Sequence, residues 1–158
     1  RAHNVFGWSD WSPIASSIVM YGVPDSPLNV QVTLSGVNVV ITWDPPTNTG
    51  GNGILLTDYQ ISIKAKSPAN FVQISSCTST LSTQICSIPM LSLSSSPYSL
   101  VLGDSIYAWV IALNDLGSGE PSIESDGSLT IQTKPVKPYS VNRDNSLTSS
   151  TQISIYWA

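Results

Sequence analysis

Two cysteines and one histidine are the chain's whole stock of soft ligands and nucleophile partners. Cys77 and Cys86 stand nine positions apart in the Ser/Thr-rich stretch SSCTSTLSTQICS. That spacing can bridge a hairpin if the Cα atoms come within about 4.4–6.8 Å, which would imply an oxidising compartment. The other reading is a pair of small buried thiols in a reduced protein. A structural zinc site wants four Cys or His ligands, and His3 is the only histidine. A Ser or Cys nucleophile needs a base, usually His. With His3 alone near the chain's start, no catalytic residue and no enzyme activity are expected. Asp44, Asp104, Asp115 and Asp126 fall at turn positions, where Asp caps or forms Asx turns. Glu120, Glu124 and Asp126 come close together, but hard cations want six or more oxygens, so no metal site is assigned. GGNG at 50–53 is followed by no Lys and no helical pattern, as a phosphate loop would require. No cofactor is expected.

Composition narrows the partners. Hydrophobic content of 41% supports a real core, while charged content of 10% lies far below the usual quarter. Disorder is not the reading, because long polar tracts are missing. Net charge is −4, and the six Lys and Arg do not cluster. Nucleic-acid binding needs a basic face to displace counterions from phosphates, and an anionic membrane asks for the same. Neither is expected. No apolar run reaches the roughly 18 residues that would span a bilayer. No signal peptide is visible at the start.

The elements that would position these residues repeat. RAHNVFG opens at Arg1 and IALNDLG at Ile111, so Asn4 and Gly7 recur as Asn114 and Gly117. VNVVITW ends at Trp43 and TQISIYW at Trp157. Self-similarity at one domain length predicts a tandem array of like modules. The chain reads as a cut from something longer: residues 1–23 end one module, 24–133 form a complete one, 134–138 (KPVKP) are a stiff linker, and 139–158 begin a third. Period-2 alternation dominates and nothing longer than a turn has helical periodicity. Strands are predicted over 27–34, 37–43, 58–65, 71–75 (a short edge strand), 82–89, 105–114 and, closing the module, 128–133. The segment 114–121 is predicted as a turn. Val37, Val39, Ile41 and Trp43 share one face, and Trp43 is too large to leave exposed there. Tyr59, Ile61, Ile63, Leu100, Ile106, Val110 and Trp157 complete the predicted core with their neighbours.

These residues resemble a known family. W-D-P-P-T-N-T-G-G from Trp43 to Gly51, followed by I-L-L-T-D-Y to Tyr59, is similar to the fibronectin type III signature. L-V-L-G-D-S-I at 100–106 leads to V-I-A-L-N-D-L-G at 110–117, which looks like that family's penultimate strand and following loop. The resemblance covers 24–133 fully and both ends in part. It implies an all-β fold, a seven-stranded Ig-like sandwich, and says little of function. The family usually carries a Tyr where this chain has Ile106. That Tyr makes a corner hydrogen bond, so here the corner is expected to be held by packing alone. R-G-D is absent from the 114–121 loop.

WSDWS at 8–12 resembles the W-S-x-W-S box of cytokine-receptor fibronectin modules. In that family two Trp interleave with Arg by cation–π stacking. The resemblance implies that Arg1 stacks on Trp8 or Trp11, with His3 on the same face. W-x-x-W is also a C-mannosylation signal in secreted proteins, which would put a sugar on Trp8. The Ser/Thr clusters at 75–83 and 92–96 could carry O-linked sugars. With Ile106, Ala108, Val110 and Ala112 inward, Tyr107, Trp109 and Ile111 must point out. That apolar row would be a contact surface for a subunit, a module or a glycan, or else be buried under the long 89–99 segment.

The expected function is a structural or adhesive segment of a long extracellular or cell-surface array: a spacer, adhesin or fibre subunit. Its partners would be neighbouring modules, homo-oligomer or filament subunits, and glycans. The alternatives are a receptor ectodomain that binds a protein ligand, and a glycan-binding accessory module of a secreted enzyme with Tyr107 and Trp109 as the platform.

Overall fold

The computed structural model describes residues 1–14, 20–77, 81–135, 137 and 140–157. In chain order the strands are β1 (His3–Asn4), β2 (Gly7–Trp8), β3 (Leu28–Ser35), β4 (Asn38–Asp44), β5 (Leu56–Lys64), β6 (Phe71–Gln73), β7 (Ile85–Pro89), β8 (Ala108–Asn114), β9 (Gly117–Ser118), β10 (Val141–Arg143) and β11 (Ile155–Trp157). A 3-10 helix spans Met90–Ser94. Two sheets make the sandwich: a three-stranded one in the order β3-β4-β7 and a four-stranded one in the order β6-β5-β8-β9. Every recorded strand pair is antiparallel. β1–β2 and β10–β11 form separate two-stranded sheets.

Alternation builds the core, since successive side chains on a strand point to opposite faces. β4 contributes Val39, Ile41 and Trp43, β5 contributes Tyr59, Ile61 and Ile63, and β8 contributes Ala108, Val110 and Ala112, all buried. Leu100, Ile106 and Ile131 close the layer. Trp43 and Tyr59 meet edge to face, with ring centroids 5.2 Å apart. Burial pushes the Tyr59 phenol above its ordinary pKa. Among the described residues, neither Trp43 Nε1 nor Tyr59 Oη finds a hydrogen-bond partner. Trp157 takes part in β11 opposite Val141; its side chain lies outside the described residues.

Three local expectations need correction. Val37 is not part of the core face: it is 78% exposed, because it sits in the β3–β4 turn before the first ladder pair, Ser35 with Asn38. The corner at Ile106 is not held by packing alone. Asp104 Oδ2 accepts from the Val101 N–H at 2.9 Å, the Ile106 N–H donates to the Leu129 carbonyl at 2.9 Å, and Lys66 Nζ reaches Asp104 at 2.8 Å. Finally, the closing strand does not wait until 128. It starts at β9, inside the segment predicted as a turn, and an irregular run then follows β8 back to Thr130, which bridges Ser105.

That run explains why period 2 failed to find it. Gly119, Ser122 and Ser125 donate in turn to the carbonyls of Ala112, Val110 and Ala108, each at 2.9 Å. The run thus advances three residues for every two on β8. The return bonds come from side chains: the Val110 N–H donates to Ser122 Oγ and the Ala108 N–H to Ser125 Oγ, both at 3.0 Å. Both serines are buried, and a buried N–H left unpaired would be costly.

Candidate functional site

Three constellations stand out. The first is the β1–β2 hairpin. Asn4 pairs with Gly7 and His3 with Trp8, and Asn4 Oδ1 accepts from the Phe6 N–H at 2.9 Å. The Arg1 guanidinium carbon lies 4.4 Å from the Trp8 ring centroid and 4.8 Å from that of Trp11. The His3 ring sits 4.4 Å from Trp8, tilted by 46°. Both indoles stay open to solvent, Trp8 at 60% and Trp11 at 75%. A cation between two exposed indoles is worth about 0.5–1 kcal/mol per contact. The arrangement orders the strand and leaves both rings accessible.

The second constellation is the same hairpin 110 positions on, with its asparagine buried. Asn114 pairs with Gly117, and its Oδ1 accepts from the Leu116 N–H at 2.8 Å and the Gly117 N–H at 3.1 Å. The Gly119 N–H donates to the Ala112 carbonyl as the Ser9 N–H does to Ala2, both at 2.9 Å. Here the asparagine does more. Its Nδ2 donates to the Gly22 carbonyl at 2.8 Å and to the Thr49 carbonyl at 2.9 Å. The incoming segment is further bonded to the 48–51 loop: the Gly22 N–H donates to the Gly50 carbonyl at 2.8 Å and the Asp25 N–H to Asn48 at 3.0 Å. Asn48 Oδ1 accepts from the N–H groups of Gly50 and Gly51, both at 3.1 Å. A Cβ on Gly50 would collide with the Gly22 carbonyl, and one on Gly119 with the Pro24 carbonyl. Three segments far apart in sequence thus lock the approach to β3.

The third is the outward row of β8. Tyr107, Trp109 and Ile111 are half-buried. The cover is not the 89–99 segment, which instead sends Met90 and Leu93 into the core. Phe71 of β6 stacks on Trp109, centroids 3.8 Å apart and planes within 12°. Lys64 Nζ lies 5.3 Å from the Tyr107 ring and 5.6 Å from the Phe71 ring, and 3.3 Å from Glu124. The Tyr107 ring rests against Gly127.

Cys77 and Cys86 form a disulfide with Cα atoms 5.4 Å apart, so the reading of two buried thiols in a reduced protein does not describe this fold. Cys86 is buried in β7, and the bridge fastens the preceding loop to the sheet. Among the described residues, no three His, Cys, Asp or Glu gather as a metal would need. Glu124 is engaged by Lys64. Asp126 accepts from the Ser128 N–H at 3.0 Å, and that hydrogen bonding holds its carboxyl below the usual range. Among the described residues no helix is long and apolar enough to cross a membrane. Sequence reasoning missed the Asn114 bridge and the two buried serines. The Asn-x-x-Gly repeat did mark the first, without saying which copy would be buried.

No family model and no curated protein matches the chain. Solved structures do. The FN1–FN3 domains of chicken CNTN1, a contactin, align with a TM-score of 0.52 at 20% identity, over 86% of this chain and 42% of that one. A structure of titin kinase and its flanking domains aligns with a TM-score of 0.51 at 24% identity, over 68% of this chain and 17% of that one. A further titin segment gives 0.50 at 24% identity, over 67% and 32%. The chain therefore spans less than half of each of these matched chains. At such identities the likeness speaks to backbone architecture, and it agrees with the two-sheet packing above: the chain has a fibronectin type III/immunoglobulin-like β-sandwich fold.

Proposed function

We propose that the chain is a structural or adhesive segment of a long extracellular tandem array. It acts as a spacer that sets the direction in which one module follows another. Residues 24–133 are the complete module, 1–23 the end of its predecessor, 134–138 the linker and 139–158 the start of its successor. Arg1, Trp8 and Trp11 form the box-like ladder of the predecessor, and Trp8 is its sugar acceptor. Its partners are its own neighbouring modules, filament subunits and glycans.

One observation carries this reading. Asn114 Nδ2 ties the incoming segment at Gly22 to the 48–51 loop and the β8–β9 hairpin. A free linker would leave module orientation to chance; a bonded one transmits it. The disulfide supports an oxidising setting. The glycan-platform alternative is weakened by Phe71, which occupies one face of Trp109.

The test is amide relaxation on the 15N-labelled chain. The amides of Gly22 and Asp25 are expected to show order parameters near the ~0.85 of rigid backbone. Values under ~0.6 in the wild-type chain would defeat the spacer reading. Non-reducing peptide mapping of native material tests the compartment: a Cys77–Cys86 bond and hexose on Trp8 are expected, and free thiols without sugar would refute the extracellular assignment.

A further inference from the structure

The charges of this chain are unevenly placed. Between 24 and 133 there are eight acids against Lys64 and Lys66, yet positions 67–103 carry no charged residue and neither do 26–43. Asp58, Asp115, Glu120, Glu124 and Asp126 lie on the four-stranded sheet and its closing run. The three-stranded sheet holds one charged residue, Asp44, and Asn29 Nδ2 donates to that carboxylate at 2.7 Å. Its outer rows are Gln31–Thr42–Ile85 and Thr33–Val40–Ser87. All six are uncharged, and none is buried.

Its edges are equally bare. Among the described residues, β3 and β7 each pair only with β4. Proteins protect open edges with charge, proline, bulges or a cover. β7 ends on Pro89, which has no N–H to offer. β3 is guarded over one half, where a bulge between Leu28 and Gln31 and the left-handed Asn29 (φ 51°) bend it away. From Gln31 to Ser35 the described residues supply no such device.

We infer that the Gln31–Ser35 edge of β3 forms a homotypic contact: a second copy of this chain pairs antiparallel with it across a two-fold axis near Thr33. The occupant follows from charge. Two acidic modules repel wherever their carboxylates face each other, and this sheet is where two copies meet without that cost. A basic partner would seat on the other sheet. The self-complementary uncharged strand supplies equal numbers of donors and acceptors to its copy, as an isologous contact requires.

The patch is small. Five residues of about 3.4 Å each make an edge roughly 17 Å long, and pairing along it buries far less than the ~800 Å² per partner of a stable complex. A single module therefore pairs weakly, in the class of small transient contacts. Repetition along an array converts that into firm lateral attachment. The inference rests on the array reading for its biological weight, but its test is separate.

The experiment is a concentration series of amide shifts and sedimentation on the 158-residue chain, up to about 1 mM. Shifts confined to Gln31–Ser35 and its neighbours are expected. Thr33→Lys sets two ammonium groups together across the axis and should weaken association at least about tenfold. Gln31→Lys should do the same if Thr33→Lys folds poorly, and Ser118→Lys on β9 should change nothing. A chain monomeric throughout overturns the proposal, as does association that survives Thr33→Lys or is lost with Ser118→Lys. Glycan found on Thr33 in native material overturns it too. Order at Gly22 is untouched by Thr33→Lys, so failure here leaves the spacer reading standing.

Discussion

Asn114→Ala is the most informative substitution, because the chain carries its own control. Asn114 is 5% exposed and takes part in four hydrogen bonds: two donated to the Gly22 and Thr49 carbonyls and two accepted from Leu116 and Gly117. A net hydrogen bond is worth about 0.5–1.5 kcal/mol, and a buried group left unpaired costs about 1–3 kcal/mol. Water can enter from the hairpin side and replace part of the loss. The expected destabilisation is therefore about 2–4 kcal/mol. Asn4 occupies the same hairpin position and is exposed, with a single side-chain bond among the described residues, from the Phe6 N–H. Asn4→Ala should cost no more than about 0.5 kcal/mol. The assay is urea denaturation of both variants with equal m values, paired with order parameters at Gly22. The amides there should loosen in Asn114→Ala and stay rigid in Asn4→Ala. If Asn114→Ala costs less than about 1 kcal/mol, or leaves Gly22 rigid, the bridge does not hold the linker and the argument from it fails.

Three further outcomes follow. Reducing the Cys77–Cys86 bridge frees a loop of about ten residues, for which chain entropy gives about 2.7 kcal/mol; denaturation with and without reductant reads this, and no difference would mean that the reduced loop gains as much freedom in the folded chain as in the unfolded one. Ser122→Ala and Ser125→Ala remove the acceptors of the Val110 and Ala108 N–H groups. Each should cost about 1–2 kcal/mol and speed hydrogen exchange at its partner amide; unchanged exchange would show that another acceptor serves. Lys66, donating to the Asp104 carboxylate, and the Val101 N–H hold that carboxyl below its ordinary pKa. A depressed carboxyl stabilises the fold above its unfolded pKa, and that contribution is lost as pH falls through the folded one. The wild-type chain should thus lose stability below about pH 4 more steeply than Asp104→Asn, and parallel acid limbs would refute the link.

Much of the fold was legible in residue order. Wherever both faces of a strand differ in burial, alternation fixes which residues go in, and Trp43, Tyr59, Ile61, Ile106 and Val110 were placed that way. Alternation fails where the ladder is bulged. The run after Gly117 advances three residues for two, so its inward serines look like loop polarity in one dimension. Val37 illustrates the opposite error: its parity was right, but a turn residue outside the ladder has no facing sheet to be buried against. The outward row on β8 could be placed by parity, while its cover could not, because Phe71 is 38 residues away and reaches Trp109 only through the β5–β6 pairing.

By itself the sequence determined the class of the fold, the inward set and the repeated Asn-x-x-Gly hairpin, since each depends on spacing along one strand or turn. Only the tertiary structure decided what those hairpins do. Asn4 and Asn114 share side chain, turn and the bond from the N–H two residues on, yet one is exposed and the other clamps Gly22 to Thr49, because carbonyl acceptors 92 and 65 residues away converge on the second alone among the described residues. The bare sheet edge has the same origin: a run without charge is visible in the letters, but that it forms an unpaired margin follows from which strands close beside it.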